Sequence, residues 1–314
     1  MAEIFPTVSA QRMANIQAGL AELRQWLEDV SLVGLAELTQ QPSAYWEQRA
    51  ARLVDAQAGG LAESMRQIPT MLLAEDWQEQ LLRTLARFYL FIQGFEQFEQ
   101  LSPALQADLL QRVGVNVKKA VLMEQEGEAD HWLVLGQRTI IGERLDLRRS
   151  WIKGLHSHQE GMILEYAFAS QGFDSAISSG HLLSGKWVYY PSSRPLRGMF
   201  KAKEKLAQES PAPQALPDFA AFFDHYSESL QALPFQRLVL CHVNDVRLVR
   251  SEEQWWIRDK NQISLPLDEK FVEKKGWELM AATGGYPFQL AGEWEGHRLF
   301  PLGISVHGFW QSFN

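Results

Sequence analysis

The sequence of 314 residues contains a single cysteine, Cys241. One thiol excludes an intrachain disulfide framework and any zinc site built from several cysteines of this chain. The first residues lack the basic segment followed by an apolar segment that is typical of a signal peptide. No apolar run reaches the ~18 residues needed to cross a bilayer. We therefore expect a protein of the cytoplasm that holds no metal or other cofactor.

Positive charge is also scarce. The chain has 30 Lys and Arg residues against 38 Asp and Glu residues, for a net charge of −8. Residues 1–128 hold 10 basic and 17 acidic residues, net −7, whereas residues 129–314 hold 20 and 21, net −1. This balance gives no overall attraction to nucleic acid or anionic lipid. The acidic first part is better suited to a basic protein partner.

The spacing of apolar residues predicts helices in the first 126 residues. Four segments place apolar side chains at intervals of three and four residues, which is typical of one buried helix face. They lie around residues 13–27, 43–54, 81–95 and 103–113. Ser102 can cap the fourth helix, with Pro103 in its first turn and Gly114 at its end. Gly59 and Gly60 are expected to end or bend the second.

After residue 126 the pattern changes to short β-branched and alternating segments, which predict antiparallel strands. Residues 127–203 are predicted to form one β module with hairpins, and residues 218–314 a second module with one short helix that Asp218 caps. The Pro-rich residues 204–217 are predicted to link them. Strands are expected at 131–141, 144–151, 162–169, 183–191, 237–243, 247–249, 254–259, 277–282, 288–294 and 297–306. The predicted fold class is α+β, with an all-α N-terminal domain.

The stretch from Gly180 to Trp187 differs from a phosphate-binding loop at one decisive position. That loop needs a Ser or Thr after its lysine to hold Mg²⁺, and a helix whose first amides face the phosphates. Here Trp187 follows Lys186, and the next residues are typical of a strand. A turn before a strand is therefore the better interpretation.

Three other groups of residues contain side chains that could carry chemistry. His156 and His158 could face one metal, but they lie in a polar loop with no third ligand nearby. Cys241 and His242 are adjacent in a predicted strand and so point to opposite faces, which excludes a Cys–His pair between them. Six basic residues could hold a single nucleic-acid strand beside neighbouring aromatic rings, although a solvated sheet edge explains them better: Lys186, Arg194, Arg197, Lys201, Lys203 and Lys205.

Two arginines are predicted to form ion pairs within the chain. Arg52 and Asp55 are three residues apart on a helix and can form a salt bridge. Arg149 shares a strand face with Leu147 and Trp151, so its side chain is expected to point inward. A buried guanidinium needs a carboxylate partner, because an unpaired buried charge is costly.

Several segments, in this order, resemble the region that follows the zinc finger in bacterial SWIM zinc-finger proteins. They include residues 19–38, WEQRAARLVDAQAGGLAE (46–63), WLVLGQR (132–138), RRSW (148–151), YYPSSRPLR (189–197) and residues 277–302 with GEWEG. The resemblance implies an N-terminal finger whose metal ligands this chain lacks. The chain is accordingly expected to be either a fragment of a longer protein or a member without the finger.

The resemblance also implies a function. Genes of this family often lie beside a MoxR-type AAA+ ATPase and a protein with a von Willebrand A (VWA) domain, which implies an adaptor for such an assembly. We therefore expect a non-enzymatic protein-interaction module; the alternative is a nucleic-acid-associated regulatory protein whose zinc finger lies outside this chain. The polar and aromatic residues of the matching motifs are the candidate partner-binding residues: Arg52, Asp55, Gln57, Gln137, Arg138, Arg149, Glu293 and Trp294.

Overall fold

The computed structural model describes residues 5–142, 145–168, 172–173, 177–207, 210–236 and 238–313. The chain divides into two compact units. The helical unit contains the residues up to Val121 together with Pro191–Ser193 and Leu233–Phe235. The sheet unit contains Leu122–Tyr190, Arg194–Ala232 and the residues from Gln236 onward. The predicted α+β class, with an all-α N-terminal region followed by antiparallel sheets, is confirmed.

Four long helices form the helical unit, in the four segments that the apolar spacing predicts. They are α1 (Ala10–Val33), α2 (Ser43–Asp55), α5 (Trp77–Glu96) and α6 (Pro103–Arg112). Two short helices, α3 (Gly59–Arg66) and α4 (Ile68–Met71), connect α2 to α5, and α7 (Lys119–Leu122) ends the region. Apolar residues of all the long helices share one buried core, which is what holds these amphipathic segments together.

The ends of these helices follow local sequence signals. Ser102 caps α6 by accepting a hydrogen bond from the Leu105 amide, as predicted, and Gly114 adopts a left-handed φ of +92° just after the helix. The prediction for Gly59 and Gly60 was only partly right, because α2 already ends at Asp55 and α3 begins with these glycines. A Cβ at Gly60 would stand 1.9 Å from the Arg112 carbonyl oxygen, so glycine permits a close backbone approach there.

The sheet unit begins with a five-stranded antiparallel sheet. Its strands are β1 (Glu128–Ile140), β2 (Leu145–Gly154), β3 (Glu160–Phe168), β4 (Leu182–Tyr189) and β5 (Gly198–Lys205), in the order β3-β2-β1-β4-β5. The predicted hairpin of β1 and β2 is confirmed, although residues 143–144 of its turn lie outside the described residues. The edge strand β5 was not predicted, because alternating lysines make it resemble a loop.

A six-stranded antiparallel sheet completes the unit. Its strands are β6 (Val239–Ser251), β7 (Gln254–Arg258), β8 (Ser264–Pro266), β9 (Phe288–Trp294), β10 (Leu299–Ser305) and β11 (Trp310–Ser312), in the order β11-β10-β9-β6-β7-β8. Helix α8 (Phe219–Ala232) precedes it, and the Asp218 carboxylate accepts from the Ala221 amide as predicted. The predicted linker 204–217 was wrong at its start, because Glu204 and Lys205 belong to β5. Residues 208–209 lie outside the described residues; after them Pro211 forms a β-bridge with Phe309, and Leu216 with Val243.

The strand predicted at residues 277–282 was wrong. These residues lie in a helix, α9 (Glu269–Thr283), so this part of the chain has two helices of more than one turn rather than one short helix. Asp268 caps α9 at the Phe271 amide, and Gly284 ends it with a left-handed φ of +55°. The buried Phe271 and Leu279 are eight residues apart, an interval that places both on one face of a helix. Residues 277–282 contain only one of the two, so the interval is not visible within that segment.

The two sheets share a buried cluster. Leu133, Leu135 and Trp151 of the first sheet pack with residues of the second, and the Trp310 indole nitrogen donates to the Leu135 carbonyl at 2.8 Å. The backbones approach closely where glycine stands in each sheet. A Cβ at Gly136 would lie 2.5 Å from the Leu302 carbonyl oxygen, and one at Gly303 would lie 2.8 Å from the Leu135 carbonyl oxygen. Side chains at these two positions would force the sheets apart.

Candidate functional site

The most concentrated charge cluster of the sheet unit is built around Glu293. This residue lies on β9 and is fully buried. The Arg149 guanidinium, on β2, donates to its carboxylate through Nε at 2.8 Å and Nη2 at 2.6 Å. The Trp151 indole donates at 2.8 Å and Arg138 at 3.1 Å. The prediction that Arg149 points inward and needs a carboxylate is confirmed.

Arg138 extends this cluster toward the surface. From β1 it reaches Glu293 and Glu295 through Nη1, and Asp268 at the start of α9 through Nη2, at 3.1 to 3.3 Å. Its guanidinium also lies 4.0 Å from the centre of the Phe300 ring. One arginine therefore connects the first sheet to β9 of the second sheet and to the start of α9.

The hydrogen bonding of Glu293 decides what the cluster can do. Each of its two carboxylate oxygens accepts two hydrogen bonds from the surrounding side chains. A carboxylate offers about four lone-pair sites, so none is left to bind a ligand. The arrangement suits a fixed connection between sheets, in which the buried charges compensate each other.

The other candidates from the same motifs are also bound within the fold. The Gln137 amide donates to the Ser150 hydroxyl at 2.8 Å and to the Ile177 carbonyl at 3.1 Å. Trp294 is buried and its ring meets Phe222 and Phe223 of α8 edge-on. Of the sequence-predicted residues, the structure thus brings Arg138, Arg149 and Glu293 together and places Gln137 and Trp294 elsewhere in the sheet unit.

The loop between β2 and β3 is organised by one carboxylate that the sequence did not single out. Asp130 accepts hydrogen bonds from the His131 and Ser157 amides, from the Ser157 hydroxyl at 2.6 Å, and from His156 Nδ1 at 2.7 Å. Burial by itself raises the pKa of Asp130, but these hydrogen bonds outweigh it and lower that pKa to about 2. His156 is thereby oriented by Asp130, while its ring stays exposed.

The remaining sequence candidates fall into ordinary structure. Lys186 is exposed on β4, with no helix after it, so the phosphate-loop interpretation is excluded. Cys241 and His242 are both buried on β6; burial raises the pKa of the Cys241 thiol and lowers that of the His242 imidazole. Across the described ranges, no three His, Cys, Asp or Glu side chains are grouped so that they could hold a metal ion.

In the helical unit, aromatic residues join the first two long helices. The Trp26 indole of α1 donates to the Tyr45 hydroxyl of α2 at 2.7 Å, and the fully buried Trp46 meets both rings edge-on. Residues 11–113 match the family model of the SWIM-associated four-helix bundle domain. The sequence resemblance is confirmed for these residues, and the sheet unit lies beyond the match. No curated protein and no solved structure matches this chain.

Within the helical unit, the predicted pair of Arg52 and Asp55 is not formed. Arg52 instead lies 3.9 Å from Glu22 on α1, and both side chains are mostly exposed. The helix rotates Arg52 toward α1, whereas Asp55 is its last residue and Gln57 follows with a left-handed φ of +60°. In the parts of the chain that the structure describes, Asp55 makes no ion pair.

Sequence reasoning missed one surface of the sheet unit. On it Trp277 of α9 is 62% exposed and meets the buried Trp255 of β7 edge-on at 5.3 Å. The Arg250 guanidinium lies over both indoles, at 5.5 and 5.2 Å from their centres. If residues 269–283 are assigned to a helix, Trp277 lies on its polar face, and this would have revealed the surface. We call Arg250, Trp255 and Trp277 the aromatic surface.

Among the helices within the described residues, none combines the length and apolar character that a bilayer crossing requires.

Proposed function

We propose that this chain is a non-enzymatic protein-interaction module, and the aromatic surface is the observation that carries the proposal. A largely exposed indole leaves apolar area in water that a partner can cover. Trp, Tyr and Arg are also the residue types that contribute most binding energy in protein interfaces. The aromatic surface combines Trp and Arg, with Arg250 already held against two rings.

The charges around this surface favour a protein over nucleic acid. Stacking rings beside arginine also suit a single nucleic-acid strand. Here, however, the basic Arg247 and Lys274 are offset by exposed carboxylates: Glu252 and Glu253 in the turn between β6 and β7, and Glu273 on α9. A phosphate backbone needs an excess of positive charge. The aromatic surface therefore lacks the positive charge that the nucleic-acid alternative requires.

The partner we propose is the MoxR-type AAA+ ATPase, or the VWA-domain protein, whose genes accompany the SWIM family. The support for this choice is the resemblance of the sequence and the match of residues 11–113 to a SWIM-associated domain. In this role the chain would be an adaptor that docks through its aromatic surface. The buried cluster around Glu293 would keep the sheets that carry this surface in a fixed arrangement.

The test is a binding titration of the purified full chain against the ATPase and the VWA protein encoded beside its gene. We expect a micromolar complex with one of them, weakened at least about tenfold by Trp277→Ala or Arg250→Ala. Tyr166→Ala is the matched control, because Tyr166 is 59% exposed on β3, away from the aromatic surface. No complex with either protein would overturn the proposal. Binding of single-stranded DNA at low salt, lost in Trp277→Ala, would support the nucleic-acid alternative instead.

A further inference from the structure

A second surface, in the SWIM-associated bundle, has the chemistry of an anion site. An open groove lies between α1 and α2, with the end of α3 beneath it. The groove is lined by the guanidinium groups of Arg49 and Arg52 and by Glu22 and Trp26. The walls are fixed by a close helix approach, since a Cβ at Gly19 would stand 2.3 Å from the Cβ of Ala56. We call this the α1–α2 groove.

Arg49 is held in place without a charged partner. Its guanidinium lies 4.2 Å from the centre of the Tyr45 ring and 5.3 Å from that of Trp26. Its Nε atom is buried and has no hydrogen-bond partner, and the described residues offer it no ion pair. Stacking therefore orients a guanidinium whose buried Nε donor is unsatisfied, which is unusual because buried donors are nearly always paired.

Arg52 is also available to a ligand. Its only ion pair among the described side chains is the 3.9 Å contact with Glu22, and both side chains are more than 60% exposed. A pair of this length between exposed groups contributes little stability. An anion entering the groove can replace Glu22 as the partner of Arg52 at small cost.

The charge and lining of the groove indicate which anion fits. Two arginines and one glutamate leave a net charge of +1, which suits a monoanion better than a phosphate dianion. The planar guanidinium fork matches a carboxylate. Leu53 and Met65 line the groove as well, so an aliphatic stem would be covered. These features together fit the side chain of a glutamate.

We propose that the α1–α2 groove binds a glutamate side chain of a partner segment that is otherwise neutral or basic. The acidic balance of residues 1–128 would repel a strongly acidic segment, whereas it attracts basic residues around a single carboxylate. This inference deepens the proposed interaction function, because it states what the helical unit would recognise. It does not depend on the identity of the partner.

The test uses the full chain and the peptide KLELK, with KLQLK and a phosphoserine version as matched peptides. Binding is followed by ¹⁵N NMR at the Trp26 indole, assigned with Trp26→Phe. We expect KLELK to bind at least about tenfold more tightly than KLQLK, since a charge-assisted hydrogen bond is lost. Arg49→Gln should abolish this difference, and Arg49→Lys should not restore it, because lysine lacks the planar fork.

Glu22→Gln provides a test that does not risk the fold. Removing this exposed carboxylate should strengthen KLELK binding about threefold or more, because the ligand no longer competes with it. Arg83→Gln, at an exposed ion pair on α5, should leave binding unchanged. Equal binding of KLELK and KLQLK, or no effect of Arg49→Gln or Glu22→Gln, would overturn the proposal. Tighter binding of the phosphoserine peptide would also overturn it and assign the groove to phosphate.

The failure of this inference can be told apart from failure of the adaptor function. The peptide assay contains no ATPase and no VWA protein, so a missing complex with those proteins leaves it unaffected. Conversely, equal binding of KLELK and KLQLK would not affect the result of the titration against the ATPase and the VWA protein.

Discussion

Arg149 and Glu293 are separated by 144 residues, and their side chains form two parallel hydrogen bonds, of 2.8 and 2.6 Å, inside the sheet unit. The pair connects β2 of the first sheet to β9 of the second. Because Glu293 is fully buried, its charge is compensated only by the donors around it. The stability of the sheet unit should therefore respond strongly to changes at this pair.

Arg149→Met is expected to lower the free energy of unfolding by about 3–5 kcal/mol, because it leaves the Glu293 charge short of its main partner. Urea denaturation followed by circular dichroism measures this loss. Lys275→Met, which removes an exposed ion pair with Glu278, should cost less than about 1 kcal/mol. A loss at Arg149 as small as that of the control would show that the pair does not hold the sheets.

The sequence predicted half of this relationship. The alternation around Leu147 and Trp151 placed Arg149 on the inner face and required a carboxylate, but nothing local identifies Glu293 as that carboxylate. The pairing depends on how two sheets lie against each other, which is decided by contacts between distant segments. The helices of the bundle were predicted more completely, because each carries its own apolar face and its own cap, such as Ser102.

The errors have local physical reasons. Residues 277–282 alone predict a strand, because the segment is short and rich in apolar residues. The signals that mark helix α9, the cap at Asp268 and the stop at Gly284, lie outside this segment. The strand β5 was missed because an edge strand needs few apolar residues. The groove and the aromatic surface could not be predicted, since each combines residues from separate elements.

Asp130→Asn should destabilise the loop between β2 and β3. The pKa of Asp130 is lowered from 3.8 to about 2, so its contribution is full above pH 4 and is lost as the pH falls toward 2. The shift corresponds to about 2 kcal/mol at neutral pH. Unfolding titrations between pH 2 and 7 should show a weaker acid dependence in the variant. An unchanged acid dependence would contradict this assignment.

His242 predicts a different pH dependence. It is buried, neither ring nitrogen has a partner, and burial lowers its pKa well below 6.5. The unfolded chain therefore takes up a proton that the folded chain does not, and stability falls by up to about 1.4 kcal/mol per pH unit below pH 6.5.

His242→Leu isolates this effect, because leucine cannot be protonated. The variant should be about as stable as the parent at pH 8, since no hydrogen bond is lost. It should then retain more stability than the parent at pH 5, as measured by urea unfolding at both values. Parallel stability loss in the two proteins would show that His242 is not the group responsible.

Gly136→Ala tests the close approach of the two sheets. The added methyl group would collide with the Leu302 carbonyl, so we expect a loss of about 1–3 kcal/mol in the free energy of unfolding. Gly59→Ala is the matched control, because no atom lies within 4 Å of its Cβ position and alanine favours a helix. The control should be neutral or stabilising; equal losses at both positions would contradict the proposed contact.

The lysines of β5 have a consequence beyond charge. An edge strand exposes unpaired backbone groups that can recruit a strand of another molecule. On β5, Lys201, Lys203 and Lys205 alternate along this edge, and bringing two such edges together would oppose their ammonium groups. In the second sheet the edge strands β8 and β11 have three residues each, which offers little to pair with. These three edges therefore resist pairing with a strand of another molecule.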